Sequence, residues 1–81
     1  MTDPQIMRVD RETYKLGKRS SHFWSSNKEL KFYEIRCNWG VNRQTQAFYH
    51  VLAYSRIQAE EMAVKEYARI HHITEKWVVI F

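Results

Sequence analysis

The stretch Tyr54 to Ile70, Y-S-R-I-Q-A-E-E-M-A-V-K-E-Y-A-R-I, decides the fold because its pattern indicates a single element, an amphipathic helix. Ser55 is a favourable N-cap, since its hydroxyl can accept from the Gln58 amide while the Gln58 side chain reaches back to the Ser55 amide. Apolar residues at three- and four-residue spacing predict the face on the core: Ala59, Met62, Ala63, Tyr67 and Ile70. A second apolar line predicts cover from another segment or chain: Ile57, Val64 and Ala68.

Two strands are predicted before this helix. Residues 30–39 alternate between apolar and polar side chains, with four residues on the first face: Tyr33, Ile35, Cys37 and Trp39. Residues 46–54 alternate in the same way, and residues 40–44 supply the glycine and asparagine of a turn. We therefore expect the two segments to form a hairpin.

A third strand is predicted over residues 76–81, K-W-V-V-I-F, where both faces are apolar. Such a strand is typically central, or covered on both sides. Because a crossover through a helix is right-handed, this strand should run parallel to the second strand, with the first strand between them. The sequence therefore predicts one α+β domain over residues 1–81, with a three- or four-stranded, mainly antiparallel sheet and the main helix on one face. Residues 29–81 are its hairpin-helix-strand core, and residues 1–28 are a basic N-terminal segment and loop.

The N-terminal segment has two interpretations. Asp3-Pro4 resembles a helix start and Gly17 a helix stop, which favours a short helix. Residues 6–9 could instead add a strand to the sheet edge. Residues 18–28, K-R-S-S-H-F-W-S-S-N-K, are typical of an exposed loop.

The sequence predicts which residues fill the core and which apolar residues lie on the second face of the sheet. The core is expected to bury six residues: Ile35, Val51, Met62, Tyr67, Ile70 and Val79. Alternation places four apolar residues on the face away from the helix: Phe48, Leu52, Val78 and Ile80. A face this apolar is seldom left bare. Its cover is either a second copy in a homodimer, which we favour, or a fold-back of five N-terminal residues: Ile6, Val9, Leu16, Phe23 and Trp24.

Length and composition exclude several classes of protein. A chain of 81 residues forms one small domain, which buries only ~60 to 65% of its unfolded surface. No apolar run approaches the ~18 residues of a membrane span, and the start lacks the pattern of a secretion signal, so we expect the cytoplasm. Cys37 is the single cysteine, which excludes an internal disulfide and a CxxC zinc site.

Few residues could carry catalysis. His22, His50, His71 and His72 are the only side chains that titrate naturally near neutral pH, and no spacing puts a histidine beside Cys37. The adjacent His71 and His72 stand at a helix end, where capping is favoured over a shared metal. A glycine-rich phosphate loop and a carboxylate cluster for magnesium are both absent from the sequence. We therefore predict a non-enzymatic protein with no metal and no cofactor.

The excess positive charge lies in the first half of the chain. Residues 1–45 carry nine Lys and Arg against five Asp and Glu, whereas residues 46–81 carry four of each. A surplus of this size is common on soluble domains, but it also permits contacts with phosphates, and aromatic rings can stack on unpaired bases. The candidate binding residues are Lys15, Lys18, Arg19, His22, Trp24, Lys28, Arg36 and Arg43.

A resemblance favours a protein partner. The passage A-F-Y-H-V-L-A-Y-S-R-I-Q-A-E-E-M-A, which ends at Ala63, is a strand that runs into a capped helix. It resembles small phage-encoded inhibitor proteins, among them anti-CRISPR proteins, over residues 31–81 in architecture and size. The resemblance implies an inhibitor or accessory factor that docks on a host nucleic-acid-handling or defence complex, and it carries over no functional residue. Direct nucleic-acid binding through the N-terminal basic and aromatic residues is the alternative function.

Overall fold

The computed structural model describes residues 3–16, 30–40 and 45–81, which form an antiparallel sheet with two helices. The elements in chain order are β1 (Gln5–Val9), α1 (Arg11–Leu16), β2 (Lys31–Trp39), β3 (Ala47–Ala53), α2 (Arg56–His71), a 3₁₀ turn (Glu75–Trp77) and β4 (Val78–Ile80). The strands lie in the order β1-β3-β2-β4. The predicted α+β class, with a four-stranded sheet and one main helix, is confirmed.

The order of the last three strands follows the predicted topology. β2 lies between β3 and β4 and is antiparallel to both, so β3 and β4 run in the same direction. The register places Cys37 of β2 opposite Ala47 of β3 on one side and Ile80 of β4 on the other. β1 extends the sheet on the far side of β3.

The N-terminal segment contains both of the elements that the sequence offered, in succession. Residues 5–9 are a strand paired with β3, so a helix starting at Asp3-Pro4 is wrong. The helix begins at Arg11 instead, after Asp10, whose carboxylate accepts from the Thr13 amide at 2.7 Å. Pairing with β3 gives residues 5–9 a hydrogen-bond ladder, and this nonlocal gain outweighs the local helix signals.

The main helix begins at the predicted cap. The Ser55 hydroxyl accepts from the Gln58 amide at 3.1 Å, as expected. The Gln58 side chain, however, accepts from the amide of Tyr54 at 2.8 Å, so the return bond is made one residue before the predicted one. The helix ends at His72, which adopts the left-handed conformation and donates its amide to the Ala68 carbonyl.

The core lies between α2 and the sheet. Ala59 and Ala63 are fully buried and their small side chains let the helix approach the strands closely. Three predicted core residues are confirmed as fully buried: Ile35, Val51 and Tyr67. Met62 is half-buried against them.

Two predicted core residues, Ile70 and Val79, are exposed, so these predictions are wrong. Ile70 lies in the last turn of α2. Val79 pairs with Asn38, so it shares the sheet face opposite to that of Cys37 and Ile80. Val78 and Ile80 therefore pack on the α2 side, and their predicted place on the other face is also wrong.

β4 differs from its prediction in a second way. It is a three-residue strand at the sheet edge, whereas a central or doubly covered strand was expected. Trp77, Val79 and Phe81 are exposed beside it. Ile57, in the second apolar line of α2, is also exposed, so the cover expected for it does not come from the described residues.

The second sheet face is covered in part by α1. The Tyr14 ring lies 5.2 Å from the Phe48 ring and 6.2 Å from the His50 ring, between centroids. The N-terminal segment thus folds back through Tyr14 and through Val9, which pairs with Phe48 and shares its face. Leu16 is exposed and Ile6 packs on the α2 side, so these two residues do not cover the second face. Phe23 and Trp24 lie outside the described residues, and the homodimer stays a prediction. No helix in the described ranges combines the length and the apolar character that crossing a membrane requires.

Candidate binding surfaces

An aromatic groove lies where the chain returns from α2 to the sheet edge. The left-handed His72 and the 3₁₀ turn bring Trp77 and β4 alongside the end of β2, where Trp39 pairs with Val78. The groove has a volume of about 570 Å3. Its lining residues are Trp39, His72, Ile73, Thr74 and Trp77.

The groove and the outer side of β4 form the β4 edge surface, whose exposed aromatic side chains are Trp39 and Trp77. They are 44% and 59% exposed. Val79 is 46% exposed on the opposite face of the sheet, because it pairs with Asn38 while Trp39 pairs with Val78. In the described part of the chain, β4 has a strand partner on one side only. Clustered exposed apolar side chains beside an unpaired strand edge are typical of an interaction site.

A second surface, the arginine pocket, consists of Arg11, Arg36, Gln46 and Phe81. These residues come from the start of α1, the middle of β2 and the segments that flank β3 and β4. The Phe81 amide donates to the Arg36 carbonyl at 3.0 Å, and the Arg36 Cζ atom lies 5.0 Å from the centre of the Phe81 ring. This geometry is a cation–π contact. The Nε atom of Arg36 is buried and has no hydrogen-bond partner within the described ranges.

The groups most suited to catalysis are buried. His50 is fully buried between the Tyr14 ring and the Phe32 ring, whose centroid lies 4.8 Å from its own. Burial lowers the pKa of His50 below its ordinary value, and nearby Glu34 opposes the shift. Burial raises the pKa of the Cys37 thiol to about 12, with Glu60 adding to the rise. The Cys37 thiol therefore stays protonated near neutral pH, and neither group is placed to meet a substrate.

The remaining described histidines are engaged at the end of α2. The His71 ring lies 4.2 Å from the Tyr67 ring, and His72 forms the helix end. Among the residues that the structure describes, no three His, Cys, Asp or Glu side chains cluster as metal ligands would.

The candidate binding residues fall into two groups. Lys15 is exposed on α1, and Arg36 is half-buried on β2. The other six lie outside the described residues: Lys18, Arg19, His22, Trp24, Lys28 and Arg43.

The structure adds functional candidates that the sequence reasoning missed. It brings Arg11, Gln46 and Phe81 beside Arg36, and it leaves Trp39 and Trp77 exposed at one edge. Trp77 was assigned to the third strand, but it lies in the 3₁₀ turn that precedes β4, so alternation could not predict its exposure. Phe81 could be paired with Arg36 only from the register between β2 and β4. Comparisons with known protein families, with curated proteins and with solved structures found no match to this chain.

Proposed function

We propose that this chain is a non-enzymatic binding protein that docks on a partner protein through the β4 edge surface. The observation that carries the proposal is the exposure of Trp39 and Trp77 beside a strand with an unpaired outer edge in the described structure. Tryptophans in pockets are the residues that most often dominate the free energy of protein association. The burial of Cys37 and His50 supports a role without catalysis.

The docking mode follows from the geometry of the edge. A partner segment adds a strand to the outer side of β4 through main-chain hydrogen bonds, and an apolar side chain of that segment enters the groove between Trp39 and Trp77. Among the described residues, the groove lining contains no Lys or Arg. A strand edge and a groove walled by two tryptophans suit a polypeptide and offer little to a phosphate backbone.

The class of partner is part of the proposal. The resemblance to phage-encoded inhibitors favours a component of a host nucleic-acid-handling or defence complex, met in the cytoplasm, with the chain as inhibitor or accessory factor. No cofactor is needed for this role. A second copy of the chain is the competing occupant of the same edge.

The test is capture of partners from the source cell by three forms of the protein: the original chain, Trp77→Ser and Lys65→Gln. Lys65 is exposed on α2 and serves as a surface control. A partner that binds at the β4 edge should be retained by the original chain and by Lys65→Gln. Trp77→Ser removes a tryptophan anchor, which should cost about 2 kcal/mol or more of binding free energy. The affinity of the purified partner should therefore fall about 30-fold or more.

Two results would overturn the proposal. Equal affinity of the purified partner for Trp77→Ser, Trp39→Ser and the original chain would show that the partner binds elsewhere. Dimerisation seen by light scattering and abolished by Trp77→Ser would assign the edge to a second copy.

Direct nucleic-acid binding is the second candidate, supported among the described residues by Arg36 in the arginine pocket. Phosphate contacts make log affinity fall linearly with log salt concentration. Replacing Lys15, Lys18 and Arg19 together by Gln should reduce that slope. No binding of single or double strands at low salt would exclude this function.

A further inference from the structure

The arginine pocket gathers positive charge from two separate elements. Arg11 begins α1 and Arg36 lies in the middle of β2, yet both line one concavity of about 420 Å3. No acidic side chain of the described residues lines it. Two guanidinium groups beside one concavity repel each other, and an anion between them removes that repulsion.

Arg36 is held in place for such a contact. Its guanidinium lies over the Phe81 ring, and its main chain is hydrogen-bonded to Phe81. Its buried Nε–H group has no acceptor within the described ranges. A buried donor without an acceptor is unfavourable, and a ligand oxygen entering the pocket would supply the acceptor.

The local electrostatic field agrees with this geometry. Burial raises the pKa of the neighbouring Tyr14, and the positive charge of Arg36 is the strongest influence opposing that rise. Glu34, two residues away on the same face of β2, acts on the pKa of Tyr14 in the opposite sense and less strongly. At Tyr14, the positive charge of Arg36 therefore has a larger effect than the negative charge of Glu34.

We propose that the arginine pocket binds the phosphate group of a nucleotide, either free or within a single strand. The guanidinium fork matches phosphate oxygens, which it can bind through two parallel hydrogen bonds. The Gln46 amide adds a donor and an acceptor beside this position. Phe81 is half exposed and offers a flat ring on which a base can stack. Arg11, Arg36 and Gln46 are not part of the β4 edge surface. Binding at this pocket can therefore be tested independently of the proposed protein docking.

Nuclear magnetic resonance of the 15N-labelled chain tests the proposal through the arginine Nε–H signals. The probes are AMP, an eight-residue oligothymidylate and inorganic phosphate, with sodium chloride at matched ionic strength as the control. The Arg11 and Arg36 signals should shift saturably with AMP or the oligonucleotide, while the Arg69 signal on α2 stays unchanged. Phosphate alone should bind more weakly because it does not reach Phe81.

Substitutions distinguish a specific binding site from a nonspecific attraction of AMP to positive charge. Arg11→Gln changes an exposed residue and should weaken AMP binding about tenfold, the value of one hydrogen bond to a charged group. Arg36→Lys keeps the charge but loses the fork, so it should also weaken binding several-fold. Phe81→Ala should reduce AMP affinity to that of phosphate. Lys65→Gln removes one positive charge from α2 and should leave affinity within twofold.

The two sources of the phosphate are distinguished by the same titrations. Tighter binding of oligothymidylate than of AMP assigns the pocket to a strand, and equal binding assigns it to a single nucleotide. The proposal is overturned by shifts that sodium chloride reproduces, or by an Arg69 signal that moves with those of Arg11 and Arg36. It is also overturned if Arg11→Gln and Lys65→Gln have the same effect on affinity.

Discussion

Two buried tyrosines offer a matched test of hydrogen bonding in the core. Tyr49 in β3 and Tyr67 in α2 are both fully buried. The Tyr67 hydroxyl donates to the Thr45 carbonyl oxygen at 2.6 Å, whereas the Tyr49 hydroxyl is buried with no partner among the described residues. Replacing either residue by Phe deletes one oxygen atom and keeps the ring that packs in the core.

The two replacements should affect the free energy of unfolding differently. Tyr67→Phe removes a hydrogen bond and takes one donor from the Thr45 carbonyl, which should cost about 1 to 2 kcal/mol. Tyr49→Phe removes a hydroxyl that is already unpaired, so stability should stay the same or rise by up to about 1 kcal/mol. The two variants should therefore differ by about 1 to 3 kcal/mol.

Urea unfolding followed by circular dichroism measures this difference, provided that the dependence on urea concentration is the same in both variants. In thermal unfolding, each 1 kcal/mol corresponds to about 4 to 8 °C for a domain of this size. Losses that agree within about 0.5 kcal/mol would show that the Tyr67–Thr45 contact does not set the two sites apart. A loss above about 3 kcal/mol for Tyr67→Phe would show that the ring itself repacks, which also contradicts the reasoning.

Three further predictions concern His50, Met62 and Gly40. Burial holds the pKa of His50 below its ordinary 6.5, so the unfolded chain binds the proton more readily and stability should fall as pH drops below about 6.5. Urea midpoints from pH 8 to 5 should decline less steeply in His50→Phe, and parallel profiles would contradict this. Met62→Ala should lower the free energy of unfolding, measured in urea, by about 1 to 2 kcal/mol, because Met62 is only half-buried. A loss under about 0.5 kcal/mol would show that Met62 behaves as a surface residue. Gly40 has a φ of 65°, and a Cβ added to it would meet no atom of the described residues within 4 Å. Gly40→Ala should therefore lower the free energy of unfolding by about 1 kcal/mol through backbone strain alone. Gly40→Asn should lower it less, because asparagine tolerates this conformation better. Equal shifts of the two melting temperatures would refute the assignment to strain.

The parts of the fold that could be predicted from the sequence are those with local signals. Ser55 and the alternation of residues 30–39 and 46–54 specify α2 and the hairpin through neighbouring residues alone. The segment from Val78 to Ile80 carries no such signal, because three successive apolar residues do not show which side chains point toward the helix. That orientation depends on the pairing of Cys37 with Ile80, which is set by the register of the sheet.

The candidate sites were less predictable for a related reason. Arg36 was selected for its charge, but the residues around it come from three other segments that only the assembled sheet brings together. β1 shows the same limit, since the helix signals at Asp3-Pro4 are local and the strand partner that overrides them is distant in sequence, as the pairing of Gln5 with Leu52 shows. Six of the eight binding residues lie outside the described part of the chain, so that prediction stays open.

The reactivity of the buried Cys37 thiol can be used to measure how often the structure around it opens. Its thiol is fully buried between Ala47 of β3 and Ile80 of β4, and it is protonated near neutral pH. A thiol reagent can reach it only in molecules where β4 or α2 has detached or the whole domain has unfolded, so the labelling rate reports how often such opening occurs. A partner that adds a strand to β4 would hold the edge closed and slow the labelling in proportion to its occupancy.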